Sequence, residues 1–314
     1  KKKKKNKNLK KKGIKKKKKI KKNKYFYKFY SLKIKKNNFF LKKILKICNK
    51  EKIELIIPLS DRDAILLSES KKIFLKNKIN VLVNNFEIIK KISNKFSTYQ
   101  ILKKFKIRTP KYKLVRNIEE LKNGLKKFQY PKKGVVLKPN IGIGGRGIKI
   151  LPGKNSNHEK WIGSGKREKI IKGKFSITQN LFKYGDLLLM NILKSPAYDV
   201  DYFGYAKEKT MIIRKRINPS GIPYKGNYII KDKAIETYCN KIIKTLNLSH
   251  SIDLDLLSDE NKRTVLLEVN PRPSGSLACN YSAGIPLFSY VLAKVLKKNY
   301  YMPPYSQSVK KVKL

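Results

Sequence analysis

The chain has 314 residues, with 77 Lys+Arg against 21 Asp+Glu and a formal charge of +56 at pH 7. At 40% apolar residues it is too apolar for full disorder and long enough for two domains with real cores. Three scattered cysteines argue against a disulfide scaffold or a structural zinc site, and His158 and His250 alone leave little for a His-based metal centre or triad.

Residues 1–24 hold 17 lysines, and like-charge repulsion with nothing apolar to bury predicts a disordered tail. Such a tail offers nonspecific attraction for polyanions. Lys, Asn and Ile rise together while only nine residues are Arg, a pattern closer to coding bias than to a selected phosphate-reading surface. The basic start is followed by no apolar h-region, and no apolar run reaches membrane length. The expectation is a cytoplasmic protein with no membrane contact.

From Tyr25 the pattern changes, and Tyr27 and Phe29 alternate as a buried strand would. Glu54–Ser60 reads as a buried parallel strand, and Ala64–Leu75 as a helix opened by the cap-forming Ser60-Asp-Arg-Asp63. Asp61 and Asp63 follow that strand where open α/β sheets place ligands, but helix capping is the favoured reading. Asn80–Val83 is the next strand and Phe86–Ile92 a helix, a βαβα segment without a convincing first strand. Phe96–Phe105 and Asn117–Phe128 read as helices around a strand at Tyr112–Val115. Strands are expected at Gly134–Lys138, Ile148–Ile150, Leu187–Leu193, Ala197–Phe203 and Thr210–Arg216. Pro152–Gly173, with the lone Trp161, reads as loop with a short helix. A helix at Asp232–Leu246 precedes an antiparallel pair, Ser251–Leu257 and Thr264–Val269, and Leu277–Leu296 closes the chain as helix.

Two constellations carry chemistry. Gly142, Gly144, Gly145 and Gly147 crowd one loop between two strands, where backbone N–H groups can cradle phosphate. Lys138 sets a cation just before the loop, and Arg146 stands at its tip as a phosphate contact or plain surface. The loop lacks the Gly-Lys-Ser/Thr ending of a P-loop, and an ordinary glycine-rich hairpin reads the same. The sharper constellation is Glu268-Val-Asn-Pro-Arg272 at a strand end, with Asp255 on the preceding strand. Residues two apart on a strand share a face. Asp255, Glu268 and Asn270 therefore offer hard oxygens suited to Mg²⁺ (or Mn²⁺) on nucleotide phosphates. Arg272 follows to neutralise charge on a transferred phosphoryl group. A strand end with a solvated carboxylate is the plainer alternative.

In this order these motifs resemble the ATP-grasp superfamily, in particular the branch of the carbamoyl phosphate synthetase large subunit and similar carboxylate–amine ligases. The likeness runs from about Tyr25 to Lys298. It implies an α/β (α+β) ATP-grasp fold of two lobes, β-sheets flanked by helices, preceded by a partial Rossmann-like domain. The expected boundaries are 25–92 for that first domain and 93–314 for the ATP-grasp domain. Within the latter, about 111–190 is the nucleotide-lid lobe and 191–314 the metal-binding lobe. The resemblance also implies Lys95 on ATP and Met190, Asn191, Ile192 and Leu193 as the adenine hinge. Asn191 and Ala197 stand where the family commonly carries glutamates. The implied activity is an ATP- and Mg-dependent ligase acting on a small-molecule carboxylate and an amine through an acyl phosphate. Arg214 and Arg216, alternating on one strand, would face phosphate or substrate carboxylate in such an enzyme, or solvent. A homodimer packed through Leu277–Leu296 is compatible. A basic polyanion- or nucleic-acid-binding protein and a degenerate, non-catalytic ATP-grasp fold are the competing readings.

Overall fold

A computed structural model of the chain describes residues 28, 30–32, 37–142, 147–154, 169–171, 175–183, 185–217, 226–302 and 310–312. The Lys-rich tail, Tyr27, Phe29 and Trp161 lie outside them. The chain divides into two units, Lys1–Phe40 and Leu41–Leu314. In the first, the described residues include the opening of helix α1 (Asn37–Lys50).

Strands β1 (Leu55–Ile56) and β2 (Asn80–Val81) pair in parallel. Helices α2 (Asp61–Glu69) and α3 (Lys71–Lys76) connect them, and α4 (Phe86–Ser93) follows. Ala64, Leu67, Phe74, Val81 and Ile89 form their core together with Cys48 of α1. The sequence reading passed over α1. It also expected one helix over 64–75, where the structure breaks at Ser70. Ser68 Oγ bonds back to Ile65 O at 2.7 Å and Ser70 leaves helical geometry, the usual competition of serine with the helix ladder.

Helix α5 (Lys95–Lys104) is capped by Asn94, whose Oδ1 accepts from Ser97 N at 2.9 Å. A five-stranded sheet follows in the order β3-β7-β4-β5-β6: β3 (Tyr112–Val115), β4 (Val135–Pro139), β5 (Lys149–Leu151), β6 (Lys169–Ile170) and β7 (Leu187–Asn191). Helix α6 (Ile118–Lys127), capped by Asn117, packs Leu121 and Leu125 against Val115, Val135, Leu137 and Leu189.

The larger sheet has six strands: β8 (Lys194–Tyr205), β9 (Glu208–Arg216), β10 (Asn227–Ile230), β11 (His250–Ser258), β12 (Thr264–Asn270) and β13 (Lys310–Val312). Their order is β12-β11-β8-β9-β10-β13, antiparallel throughout. Helix α7 (Lys233–Thr245) packs Ile235, Cys239 and Ile242 against Val200, Leu254 and Leu266. Helices α8 (Ala278–Ser282) and α9 (Leu287–Val295) end the globular part, α9 packing on Phe203, Ile212 and Ile229. They correct the expected single helix over 277–296. Gly284 at φ +79 and Pro286 after it cannot continue a helix. Strand β10 also went unread. Among the described residues no helix is long and apolar enough to cross a membrane.

Leu254 is fully buried in this core. Leu254→Ala should cost about 2–5 kcal/mol in equilibrium denaturation, the range for a buried leucine that leaves a cavity.

Candidate active site

The strands of the larger sheet bring polar residues into two register rows. Glu268 (β12) pairs with Asp255 (β11), Asp255 with Asp199 (β8), and Asp199 with Arg214 (β9). In the next row Asn270 pairs with Asp253, and Asp253 with Asp201. Two-residue alternation puts both rows on one face. Asp255 opposite Asp199 and Asp253 opposite Asp201 are like-charge pairs, which destabilise a sheet unless compensated.

Two arginines of β9 compensate them. Arg214, with no exposed surface, forks onto Asp201 with Nε–Oδ2 2.8 Å and Nη2–Oδ1 3.1 Å, and donates to Ser276 Oγ at 2.5 Å. Arg216 holds both oxygens of Asp199, with Nε–Oδ2 at 2.9 Å, and reaches Asp255 Oδ1 at 2.6 Å. Burial alone would raise Asp199, but Arg216 and then Arg214 outweigh it and hold the carboxyl at about 2. Burial, then repulsion from Asp199 and Asp201, pushes Asp253 up to about 7. Burial also lifts Asp255 well above the usual carboxylate range, with Arg216 opposing. Glu268 is held low despite burial, because Lys95 and Lys138 face it.

The cations come from three directions. Arg272, just after β12, lies with Nε 3.0 Å from Asp61 Oδ1 and Nη1 3.4 Å from Asp253 Oδ2. Lys95, at the start of α5, stands 3.7 Å from Glu268 and donates to Gly142 O at 3.3 Å. Lys138 is buried on β4, bonding Leu267 O at 3.2 Å and Tyr99 Oη at 3.5 Å. Burial and neighbouring Lys95 depress it to about 7.

A cavity of about 560 Å³ opens here, lined among others by Asp61, Lys95, Gly142, Gly147, Glu268 and Asn270. Thus Lys95, Gly142, Gly147, Glu268 and Asn270 share one space, with Asp255 and Arg272 adjoining through their pairs. Gly144, Gly145 and Arg146 lie outside the described residues. Met190 and Leu193 pack in an apolar cluster with Tyr99 and Val265, with the partly exposed Ile192 between them in the chain. Asn191 carries a buried Oδ1 with no donor, while its N–H bonds Lys111 O. Ala197 is fully buried, so a glutamate there would be cut off from water.

The carboxylates fit a divalent cation. Oxygens of Asp199, Asp253 and Asp255 lie within 4.8 Å of one another, and Asp253 Oδ1 is buried without a donor. Such crowding leaves negative charge uncompensated, which is what hard cations neutralise. Sequence reasoning missed Asp199, Asp201, Asp253 and the Asp61–Arg272 pair. The signal for three of them was present, because the alternation that joined Glu268 to Asn270 also joins Asp253 to Asp255 and Asp199 to Asp201. Asp61 is not the cap of α2; Ser60 is, with Oγ accepting from Asp63 N at 3.1 Å.

A family model described as ATP-grasp in the biosynthetic pathway with Ter operon matches residues 183–313. An uncharacterized protein of Methanocaldococcus jannaschii is 27% identical over 274 residues, covering 85% of this chain and 61% of that protein. A biotin carboxylase–β-γ-ATP complex from Campylobacter jejuni superposes with TM-score 0.61 at 17% identity, covering 87% of this chain and 60% of that one. N5-carboxyaminoimidazole synthetase from Staphylococcus aureus, complexed with ADP, gives 0.62 at 14% identity, covering 88% and 68%. An L-amino acid ligase from Bacillus licheniformis gives 0.58 at 14% identity, covering 84% and 61%. The chain spans about 60% of the length of the first relatives it matches. The mixed α/β architecture, with its sheets flanked by helices, is the ATP-grasp fold. The family match is to residues 183–313, and the likeness to the solved structures is one of fold.

Arg216→Leu should destabilise the protein by about 3–5 kcal/mol at pH 7, because Asp199 loses the charge that compensates its burial. Asp199 has a depressed pKa, so its stabilising contribution is present above its unfolded value near 4 and fades as pH falls toward 2. Denaturation curves should therefore show the gap between variant and parent narrowing below pH 4.

Proposed function

We propose that the protein is an ATP- and Mg²⁺-dependent ligase that joins a small-molecule carboxylate to an amine. The observation that carries this reading is a cavity lined by Lys95, Glu268, Asn270 and the root of the glycine hairpin, with the carboxylate cluster joined to it through the Asp255–Glu268 register.

In this reading Lys95 and Lys138 hold the phosphates, with Gly142 and Gly147 beside them and 190–193 receiving the base. Asp255, Glu268 and Asn270 hold Mg²⁺, with Asp253 beside them as a further oxygen. The ion, when bound, draws charge from the β- and γ-phosphate oxygens. A substrate carboxylate oxygen attacks the γ-phosphorus, and the bond to the bridging oxygen breaks with ADP leaving. The amine nitrogen then attacks the acyl carbon, phosphate departs with the bonding pair, and the nitrogen sheds its proton to solvent. Arg272 faces the charge that develops in transfer. Arg214 and Arg216 act by position: each is engaged with the sheet's carboxylates and keeps them apart. The protein's work is alignment and charge compensation, which is most of what phosphoryl transfer requires.

The test is calorimetric titration of MgATP at ~0.3 M salt, high enough to screen the +56 chain. Saturable, Mg²⁺-dependent binding weakened at least ~10-fold by Glu268→Gln is the expected result; binding indifferent to that change removes the metal assignment. The pH profile gives a second check. Lys138, at about 7, loses its charge as pH rises. MgATP affinity should fall between pH 6 and 9, and Lys138→Arg, charged throughout, should flatten the decline.

A further inference from the structure

The cavity has a wall that the nucleotide reading leaves unused. It is built by Asp61 and Ile65 of α2 and by Ile92 at the end of α4. Asp61 enters from the β1–α2 turn, and its side chain is 13% exposed. Its Oδ1 lies 3.0 Å from Arg272 Nε, yet that oxygen has no aligned hydrogen-bond donor. A carboxylate offers about four acceptor positions, and here they are largely unused.

The cations around it are divided among several partners. Arg272 is shared among Asp61, Asp253 and Pro273 O, and Lys95 between Glu268 and Gly142 O. What Asp61 lacks is an N–H donor from the cavity side. What Ile65 and Ile92 lack, on the same wall, is an apolar body to cover them.

We propose that this wall is the acceptor site of the ligase reading, on which the proposal rests, and that it takes an aliphatic amine. The ammonium group is held by Asp61, and the alkyl part lies on Ile65 and Ile92. Asp61 is then the residue that selects a cationic amine over a neutral molecule of the same shape. A charge-assisted hydrogen bond in a partly buried site discriminates by roughly ten- to a hundred-fold.

The test is saturation-transfer NMR on the full chain, titrating 3-methylbutylamine and 3-methylbutan-1-ol, with and without MgADP. The expected result is saturable binding of the amine at least ~10-fold tighter than the alcohol. Asp61→Asn should erase that preference, and Asp61→Glu should keep its direction. Ile65→Ala should weaken 3-methylbutylamine but not methylamine. Equal binding of amine and alcohol, no binding of either, or a preference that survives Asp61→Asn overturns the proposal. Should Asp61→Asn fail to fold, as its melting curve would show, the comparison on the parent chain and Ile65→Ala decide alone. MgATP titrated into the same samples separates the two ideas. Amine preference without MgATP binding overturns the ligase reading, and MgATP binding without amine preference overturns this one.

Discussion

Two pairs of aspartates face each other across β8 and β11, and the site is organised around making that tolerable. Asp255 against Asp199 and Asp253 against Asp201 bury like charges at strand-pair distance. Each such contact disfavours the sheet, and burial multiplies the cost by removing water. The arginines of β9 supply the nearest remedy. Arg214 reaches on to Ser276, and Asn280 donates to Asp201 at 2.8 Å, so the segment after β12 is drawn onto the same charges. The remedy is uneven by construction. Asp199 and Asp201 are held by forks, whereas Asp253 and Asp255 are left short of positive charge. That shortfall lies toward Glu268, so the carboxylates left without full compensation are the ones nearest the cavity.

The elements before the large sheet converge on the same place. Asn140 is the pivot: its carbonyl accepts from Lys95 N at 3.2 Å, its Oδ1 from Phe96 N at 2.9 Å, and its N–H donates to Asp186 O at 2.9 Å. A bridge between Asn94 and Ile141 completes the joint. The root of the glycine hairpin is thus fixed to the start of α5, which fixes Lys95 and Gly142 together. Lys138 is held from below by Tyr99 and Leu267. Lys95 on α5, Lys138 on the smaller sheet and Glu268 on the larger one come together because both sheets are tied to the same helix, the smaller through Asn140 and the larger through the Tyr99 hydroxyl on Leu267 O.

What the sequence disclosed follows the range of the interactions. Glu268-Val-Asn-Pro-Arg272 and Asp255 were legible because alternation along one strand is local and acids are scarce in this chain. The caps Ser60, Asn94, Asn117 and Asp232 are local too; Ser60 stood out as a cap, and Asn117 and Asp232 as the first residues of their helices. The fork of Arg214 on Asp201 and of Arg216 on Asp199 needs the register of β8 on β9, which periodicity does not specify. The Asp61–Arg272 pair joins residues more than two hundred positions apart, and the strand-end position of Asp61 does not point to Arg272 as its partner. Helix α1, made largely of Lys, Ile and Asn, is hidden in a chain where those residues are everywhere. Met190 and Leu193 showed as part of an apolar run, but not which side chains would face inward.

The strand order β12-β11-β8-β9 has a kinetic consequence. The central charged strands β8 and β9 are neighbours in the chain, while β11 reaches β8 only after α7 has been made, and β12 comes later still. Long-range pairings of this kind close slowly, because loop entropy is spent before contacts are gained. Until β11 docks, Asp199 keeps only its arginine, and the acidic pocket has no far side. The carboxylate cluster is therefore among the last parts of the chain to exist. A truncated or half-folded molecule would carry the motif without the site.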